Sequence, residues 1–345
     1  MIKLGIVGTG GMAGAHGENF RKIKGVEMVA CCDVLPEKAK AYAKKFHIKN
    51  YYGSLDEMLA SEKLDAVSIV TPDFNHTESA LKAIAKKINV FCEKPLACNL
   101  KDAKRMYLAA KKARIITGVN FSYRNNGTVQ YAHKMISDGV IGKVIHVEAS
   151  YLQSWLSTNV WGSYQQNPGM LWRLSKKHKS AGCLGDIGVH IYDMVSFIAG
   201  DFAEMNSKLE IFDKGIKRLG EYVFDANDSF VTTVKFKSGA IGSIHSTRWA
   251  TGHGNSLRAR IYGNKGAIEV DLDTGKLKAC IGKNIHKAKW VEIKCPKVPN
   301  MYQRFITALK KRKEGQTNFT VGLKVQRYLD ATFRSDTKKS WVKIG

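Results

Sequence analysis

The chain has 345 residues, 44% hydrophobic and 25% charged, with 55 Lys and Arg against 30 Asp and Glu and a net charge of +25. That length predicts about two domains, each large enough for a core of its own. No apolar run approaches the roughly 18 residues needed to span a bilayer, so a membrane-spanning helix is excluded. The seven cysteines, at 31, 32, 92, 98, 183, 280 and 295, contain no C-x-x-C pair or zinc-ligand spacing. An odd count in a chain of this kind reads as reduced thiols in a cytoplasm. The lysines are scattered along helix faces such as 38–45 and 82–87, and no basic motif is interleaved with aromatics. The charge therefore reads as a solvated surface, with no specific nucleic-acid partner and no membrane expected.

From residue 1 to about 120, strand-like runs at 2–7, 26–32, 66–71, 90–93 and 115–119 alternate with helix-like stretches at 12–23, 36–46, 55–60, 77–87 and 100–113. This is the pattern of βαβ units wound into a parallel sheet. The first strand opens almost at residue 1, so no signal peptide is expected ahead of it. It runs into Gly8-Thr9-Gly10-Gly11-Met12-Ala13. Gly8, Gly10 and Ala13 fit the G-x-G-x-x-G/A fingerprint, which brings backbone against a pyrophosphate at a helix N-terminus. Asp33 ends the second strand 20 residues beyond Ala13, placed to accept hydrogen bonds from ribose hydroxyls. It would repel a 2′-phosphate, and Val34-Leu35-Pro36 offers no Arg to hold one, so NAD is favoured over NADP. The strand at 66–71 ends in Thr71-Pro72-Asp73-Phe74-Asn75-His76. Such carboxyl ends receive ligand in a doubly wound sheet, and Thr71 and His76 are candidates to contact the cofactor. The strand at 90–93 ends in Glu93-Lys94-Pro95, where the ammonium of Lys94 can polarise or help to deprotonate a hydroxyl and Glu93 can orient it.

After residue 120 the pattern changes. A helix at 127–138 and a strand at 144–152 lead into an irregular aromatic-rich segment through 174, then a helix at 186–199. Short strands dominate 204–295, with 230–236 and 240–245 pairing as a hairpin across Lys237-Ser238-Gly239. Helices at 302–313 and 321–334 and a strand at 340–344 close the chain. The expected fold is α/β: a Rossmann domain at 1–122 and an α+β domain at 123–345 with a large, mainly antiparallel sheet. A sheet covered by helices on one face leaves the other for oligomerisation. Within Gly185-Asp186-Ile187-Gly188-Val189-His190, Asp186 and His190 share a helix face, and Asp193 follows one turn on. A carboxylate holding an imidazole suits a general base near neutral pH. A helix-start Asp beside a core histidine and a sparse metal site remain alternatives, although no third ligand but Asp193 stands nearby.

Taken together, the glycine turn, Thr71-Pro72 with His76, Glu93-Lys94-Pro95 and the 185–190 segment resemble the glucose–fructose oxidoreductase / inositol dehydrogenase (Gfo/Idh/MocA) family in order and spacing. Tyr123-Arg124-Asn125-Asn126, Gly263-Asn264-Lys265-Gly266 and the strand from Ser340 extend the resemblance over essentially the whole chain. It implies an NAD(P)-dependent oxidoreductase of sugars and polyols, a homodimer or homotetramer built on the second domain's sheet, with no metal. Lys94, Asp186 and His190 become the catalytic group. Gly8, Gly10, Gly11, Met12, Asp33, Thr71, Pro72, His76, Glu93, Lys94 and Asn120 become the cofactor's surroundings. Tyr123, Arg124, Arg173, Asp186 and His190 become the substrate's. The implied chemistry is reversible hydride transfer from a secondary hydroxyl carbon. His190 takes the proton, Asp186 orients it or a neighbouring hydroxyl, and Lys94 stabilises the alkoxide. Two rivals remain: an NAD-retaining glycosidase working through transient oxidation, and a non-catalytic nucleotide-binding regulator. Many members of that family have a glycine-rich run where this chain has Ser180-Ala181-Gly182-Cys183-Leu184. The departure bears on the substrate pocket, which loops at 155–173 are expected to shape, and not on the cofactor.

Overall fold

Alternating apolar runs and amphipathic stretches fold, in chain order, into β1 (Ile2–Val7), α1 (Ala13–Phe20), β2 (Val26–Cys32), α2 (Pro36–Phe46), β3 (Asn50–Tyr52), α3 (Leu55–Ser61), β4 (Ala66–Ile69), α4 (His76–Ala85), β5 (Asn89–Cys92), α5 (Leu100–Ala113) and β6 (Thr117–Val119). There follow α6 (Gly127–Ser137), β7 (Val144–Leu152), α7 (Pro168–Leu171), α8 (Val189–Ala199), β8 (Phe202–Glu210), β9 (Arg218–Leu219), β10 (Tyr222–Val223), β11 (Ser229–Phe236), β12 (Ile241–Thr247), β13 (Ser256–Gly263), β14 (Gly266–Asp271), β15 (Lys276–Ile281) and β16 (Val291–Ile293). Two helices, α9 (Met301–Lys311) and α10 (Phe319–Lys338), and a short β17 (Val342–Lys343) end the chain. This computed structural model describes residues 1–345, the side chain of Pro168 excepted.

Two compact units emerge: Met1–Ser122 with Pro299–Gln326, and Tyr123–Val298 with Arg327–Gly345. In the first, six parallel strands take the order β3-β2-β1-β4-β5-β6, the Rossmann order, which reverses direction between β1 and β4. β3 escaped the sequence reading because it is a three-residue edge strand with no buried residue to mark it. The helices start where their signals say: Asn99 accepts a hydrogen bond from Asp102 N at the start of α5, and Pro36 opens α2. The core gathers Leu4, Ile6, Phe20 and Phe91 with Tyr302, Phe305 and Ile306 of α9. Residues 299–326, expected in the second domain, thus pack on the first, because the apolar face of α9 is buried there.

In the second unit nine strands run β16-β15-β14-β13-β7-β12-β11-β8-β17. The pairing is antiparallel as expected, except that β7 and β12 are parallel. Along β11, Phe230, Thr232, Val234 and Phe236 are buried while Val231, Thr233 and Lys235 are exposed, so one face is covered and the other open. Helix α8 lies on the covered face against β7 and β13. Ten of its eleven residues are buried, as expected of a helix apolar all round. Its Tyr192 hydroxyl bonds Thr232 and Thr332, both at 2.9 Å. The expected helix at 186–199 begins later than its motif, because Leu184–Gly188 forms a π turn ahead of α8.

Candidate active site

In the first unit the sheet's carboxyl edge is organised by Gly8. Its φ is +86°, and a Cβ there would lie 2.9 Å from the Thr71 amide nitrogen, so only glycine lets β1 turn this close to the end of β4. An added Cβ on Gly10 or Gly11 would meet nothing within 4 Å, which leaves open space in front of α1. The loop is tied down by Asp33, whose Oδ2 accepts from the Thr9 amide at 2.7 Å and the Thr9 hydroxyl at 2.9 Å; Oδ1 accepts from the Leu35 amide at 3.0 Å. Met12 is exposed at the start of the helix. These features fit a dinucleotide: glycine backbone open to a pyrophosphate, a helix N-terminus behind it, and a carboxylate at the end of β2.

His76 is fully buried, with ring nitrogens 2.8 Å from the Pro95 carbonyl and 3.0 Å from the Thr71 carbonyl. It therefore straps two strand-end turns together, and Pro72 begins the bend between Thr71 and the strap. The Lys94–Pro95 bond is cis. Glu93 is buried and does more than its neighbour Lys94 suggests. Its Oε1 lies 2.7 Å from His16 Nε2 and accepts from Asn120 Nδ2 at 2.6 Å, while Oε2 accepts the Lys94 amide at 3.2 Å. His16 Nδ1 lies 2.7 Å from Ser68 Oγ, and Asn120 Nδ2 also donates to the Tyr302 hydroxyl at 3.2 Å. Burial alone would raise the Glu93 pKa. The hydrogen bond and attraction from His16, with Asn120 and the Lys94 charge, outweigh it and bring the group to about 2. His16 is one residue that sequence reasoning missed; its only signal was a histidine inside an otherwise small and apolar helix start. Thr71 Oγ1 and Asn120 Oδ1 are buried without a hydrogen-bond partner, two polar atoms at strand ends that a cofactor would satisfy.

In the second unit a cavity of about 430 Å³ is lined by Gln153, Trp155, Trp161, Asn167, Arg173 and Asp186 among others, a size usual for small-molecule sites. Asp186 sits in the π turn, a device often found at functional sites. Its Oδ2 is 3.0 Å from Arg248 Nη2 and 3.3 Å from Arg173 Nε. Arg248 is fully buried, lies over the Trp155 ring at 4.9 Å and donates to the Arg173 carbonyl at 3.3 Å. His190 is buried and meets the Tyr123 ring edge-on at 4.9 Å. The Tyr123 and Tyr151 hydroxyls share a short hydrogen bond. Tyr151 donates to Asn255 Oδ1 at 2.7 Å, and Asn255 Nδ2 donates to Tyr123 at 3.1 Å, closing a triangle. Gln153 Nε2 joins at Asn255 Oδ1, 2.8 Å away, and Gln153 Oε1 accepts the Trp155 indole N–H at 3.0 Å. Burial and the neighbouring Tyr123 push the Tyr151 phenol well up, so it stays a donor.

Arg124, expected beside the substrate, has a buried carboxylate as a partner. Its guanidinium forms a two-pronged pair with Asp193, at 2.8 and 2.6 Å, with both side chains buried and the Phe197 ring 4.1 Å away. Asp193, which its spacing places near His190, is thus the counter-ion of Arg124. Tyr151, Gln153, Arg248 and Asn255 went unread because they come together from three separate places in the chain: the end of β7, the end of β12 and the start of β13. A charged Arg248 after the Ser/Thr-rich end of β12 was the one local hint.

The chain belongs to the Gfo/Idh/MocA oxidoreductase family. Residues 2–121 match the oxidoreductase family's NAD-binding Rossmann fold and residues 129–269 match the GFO/IDH/MocA C-terminal domain. It is 29% identical over 295 residues to a levoglucosan dehydrogenase of Pseudarthrobacter phenanthrenivorans, covering 79% of this chain and 74% of that enzyme. It is 28% identical to a myo-inositol 2-dehydrogenase of Thermotoga maritima, covering 78% and 75%. A levoglucosan dehydrogenase structure in complex with NADH and levoglucosan superposes with a TM-score of 0.89 at 26% identity, over 99% of both chains.

Proposed function

We propose that the protein is an NAD-dependent dehydrogenase acting on a secondary hydroxyl of a sugar, sugar derivative or cyclitol. The observation that carries this is the pairing, in one chain, of a glycine-and-Asp33 dinucleotide cradle with a cavity walled by tryptophans and edged by Gln153, Asn167, Arg173 and Asp186. Apolar ring faces with a few placed polar groups suit a polyhydroxylated ring. The named activities of its relatives, on levoglucosan and on myo-inositol, support the same substrate class.

In this reading Gly8, Gly10, Gly11 and Met12 hold the pyrophosphate and Asp33 the adenosine ribose. Thr71, Pro72, His76, Glu93 and Asn120 shape the floor, with Glu93, His16 and Asn120 acting as a rigid buried strut. Held there, NAD would supply the acceptor for a hydride from the substrate carbon. His190 receives the hydroxyl proton, with its ring edge fixed by Tyr123, and Lys94 stabilises the developing alkoxide. Asp186 contacts a neighbouring hydroxyl, held in place by Arg248. Tyr123 and Arg173 complete the substrate's surroundings. The seven cysteines are free thiols, in keeping with a reducing cytoplasm. We further propose a homodimer or homotetramer through the open sheet face, where Val231 and Ile241 are 58% and 52% exposed; sedimentation velocity distinguishes these from a monomer.

The test is a panel of polyols, aldoses and uronic acids with NAD and with NADP, following reduced cofactor. On the best substrate, Lys94→Ala and His190→Ala should each lower kcat by about 10²–10⁴-fold while NADH binding persists. Wild-type turnover in both variants refutes the assigned roles. Product without net NADH would favour the NAD-retaining alternative.

A further inference from the structure

We infer that the cavity of the second unit selects a sugar or cyclitol carrying an anionic substituent, a carboxylate or phosphate, with Arg173 as the group that receives it. This rests on reading the cavity as the substrate site. The argument begins with charge. Of the lining residues, Asp186 is the one acid, and two guanidiniums, Arg173 and Arg248, address its Oδ2. One carboxylate against two guanidiniums leaves a surplus positive charge in a partly enclosed cavity, where charge counts for more than in open water.

The two arginines are not equivalent. Arg248 is fully buried and locked by three contacts: Asp186 at 3.0 Å, the Arg173 carbonyl at 3.3 Å and the face of Trp155 at 4.9 Å. It suffices as the counter-ion of Asp186. Arg173 is the outer partner, with its side chain 33% exposed and its Nε 3.3 Å from the same oxygen. One terminal nitrogen donates to the Gly169 carbonyl, and the guanidinium rests 4.8 Å from the Trp172 ring. Its other terminal nitrogen has no hydrogen-bond partner among the described residues, which leaves donor capacity at the cavity wall for an oxyanion. Guanidinium is the side chain best shaped for two-pronged recognition of carboxylate or phosphate. Trp155 and Trp161 offer apolar faces to the ring, and Gln153 and Asn167 offer amides to its hydroxyls. Exposed Lys176, Lys177 and Lys179 follow within six residues of Arg173, and would draw anions towards this segment.

The experiment measures binding and turnover separately on the full chain. Calorimetric titration of the NADH complex compares glucose with glucuronate, galacturonate and glucose 6-phosphate; the uronates and the phosphate ester separate the two anion types. The same compounds are then assayed with NAD. At least one anionic sugar should bind 10-fold or more tightly than glucose, and its affinity should fall as salt rises. Arg173→Gln should cut that anion-to-neutral preference about 10-fold, and Arg173→Lys should restore part of it. Equal binding of glucose and all the anions, or an unchanged preference in Arg173→Gln, overturns the inference. Tight anion binding without reduced cofactor on any sugar would instead refute the dehydrogenase reading and leave the charge selectivity standing. Turnover confined to neutral sugars, with no anion bound, would do the reverse.

Discussion

Replacing Glu93 with Gln removes the charge at the centre of the buried strut in the first unit while keeping its shape. In the folded protein this carboxyl is held at about 2 instead of its ordinary 4.5, because His16, Asn120 and Lys94 together outweigh the cost of burial. At about 1.4 kcal/mol per pH unit, that difference corresponds to about 3 kcal/mol of stability. The sign follows from proton binding. A depressed folded pKa means that the unfolded chain binds the proton first, so the stabilisation is complete above about pH 4.5 and is lost as the pH falls towards 2. Urea unfolding of the wild type and Glu93→Gln between pH 2.5 and pH 7 measures this directly. The two curves should be separated by about 3 kcal/mol at pH 6 and by only about 1 kcal/mol at pH 2.5, with the wild type losing up to one extra proton's worth of slope in between. Parallel curves over that range would show that Glu93 is not held ionised by its neighbours. Retention of the full separation at pH 2.5 would assign the loss to packing.

The remaining predictions concern the cradle and the second unit. Arg124→Met leaves Asp193 buried without its cation, and breaking such a pair should cost about 3–5 kcal/mol, read as a lower thermal midpoint of the second unit; an unchanged midpoint would return Arg124 to the substrate's side. Gly8→Ala forces a Cβ to within 2.9 Å of the Thr71 amide at φ +86°, and should weaken NADH binding by about 10-fold or more in a fluorescence titration. Asp33→Ala frees the Thr9 amide and hydroxyl and removes the negative charge at the end of β2. NADH affinity should fall about 10–100-fold and the NADPH-to-NADH preference should rise; a constant preference would show that Asp33 does not choose between the cofactors.

Which parts of this molecule could be read from sequence depends on how far away each side chain finds its partner. Gly8 and Asp33 were legible as a turn glycine and a strand-end carboxylate because those positions follow from local geometry: a strand, a turn that needs positive φ, a helix and a second strand's end. The six-stranded sheet followed from the same alternation, save β3, whose three half-buried or exposed residues carry no apolar signal. Lys94, Glu93 and His190 were correctly placed as strand-end and helix residues, but the partners of Glu93 lie 77 residues back at His16 and 27 ahead at Asn120. No spacing rule links these positions. The same holds for Arg124, paired 69 residues on with Asp193, and for Asp186, addressed by Arg248 62 residues on. Motif periodicity assumed an α-helical turn at 186–190 where the chain makes a π turn, so the face on which Asp186 projects was set by backbone hydrogen bonding that composition does not encode. Sequence therefore marked candidate residues, while tertiary pairing set the partners that each of them meets. Arg124 and Arg173 show the difference most plainly. Both are candidates for the substrate's surroundings by sequence, yet Arg124 is buried against Asp193 while Arg173 stands one-third exposed at the cavity wall.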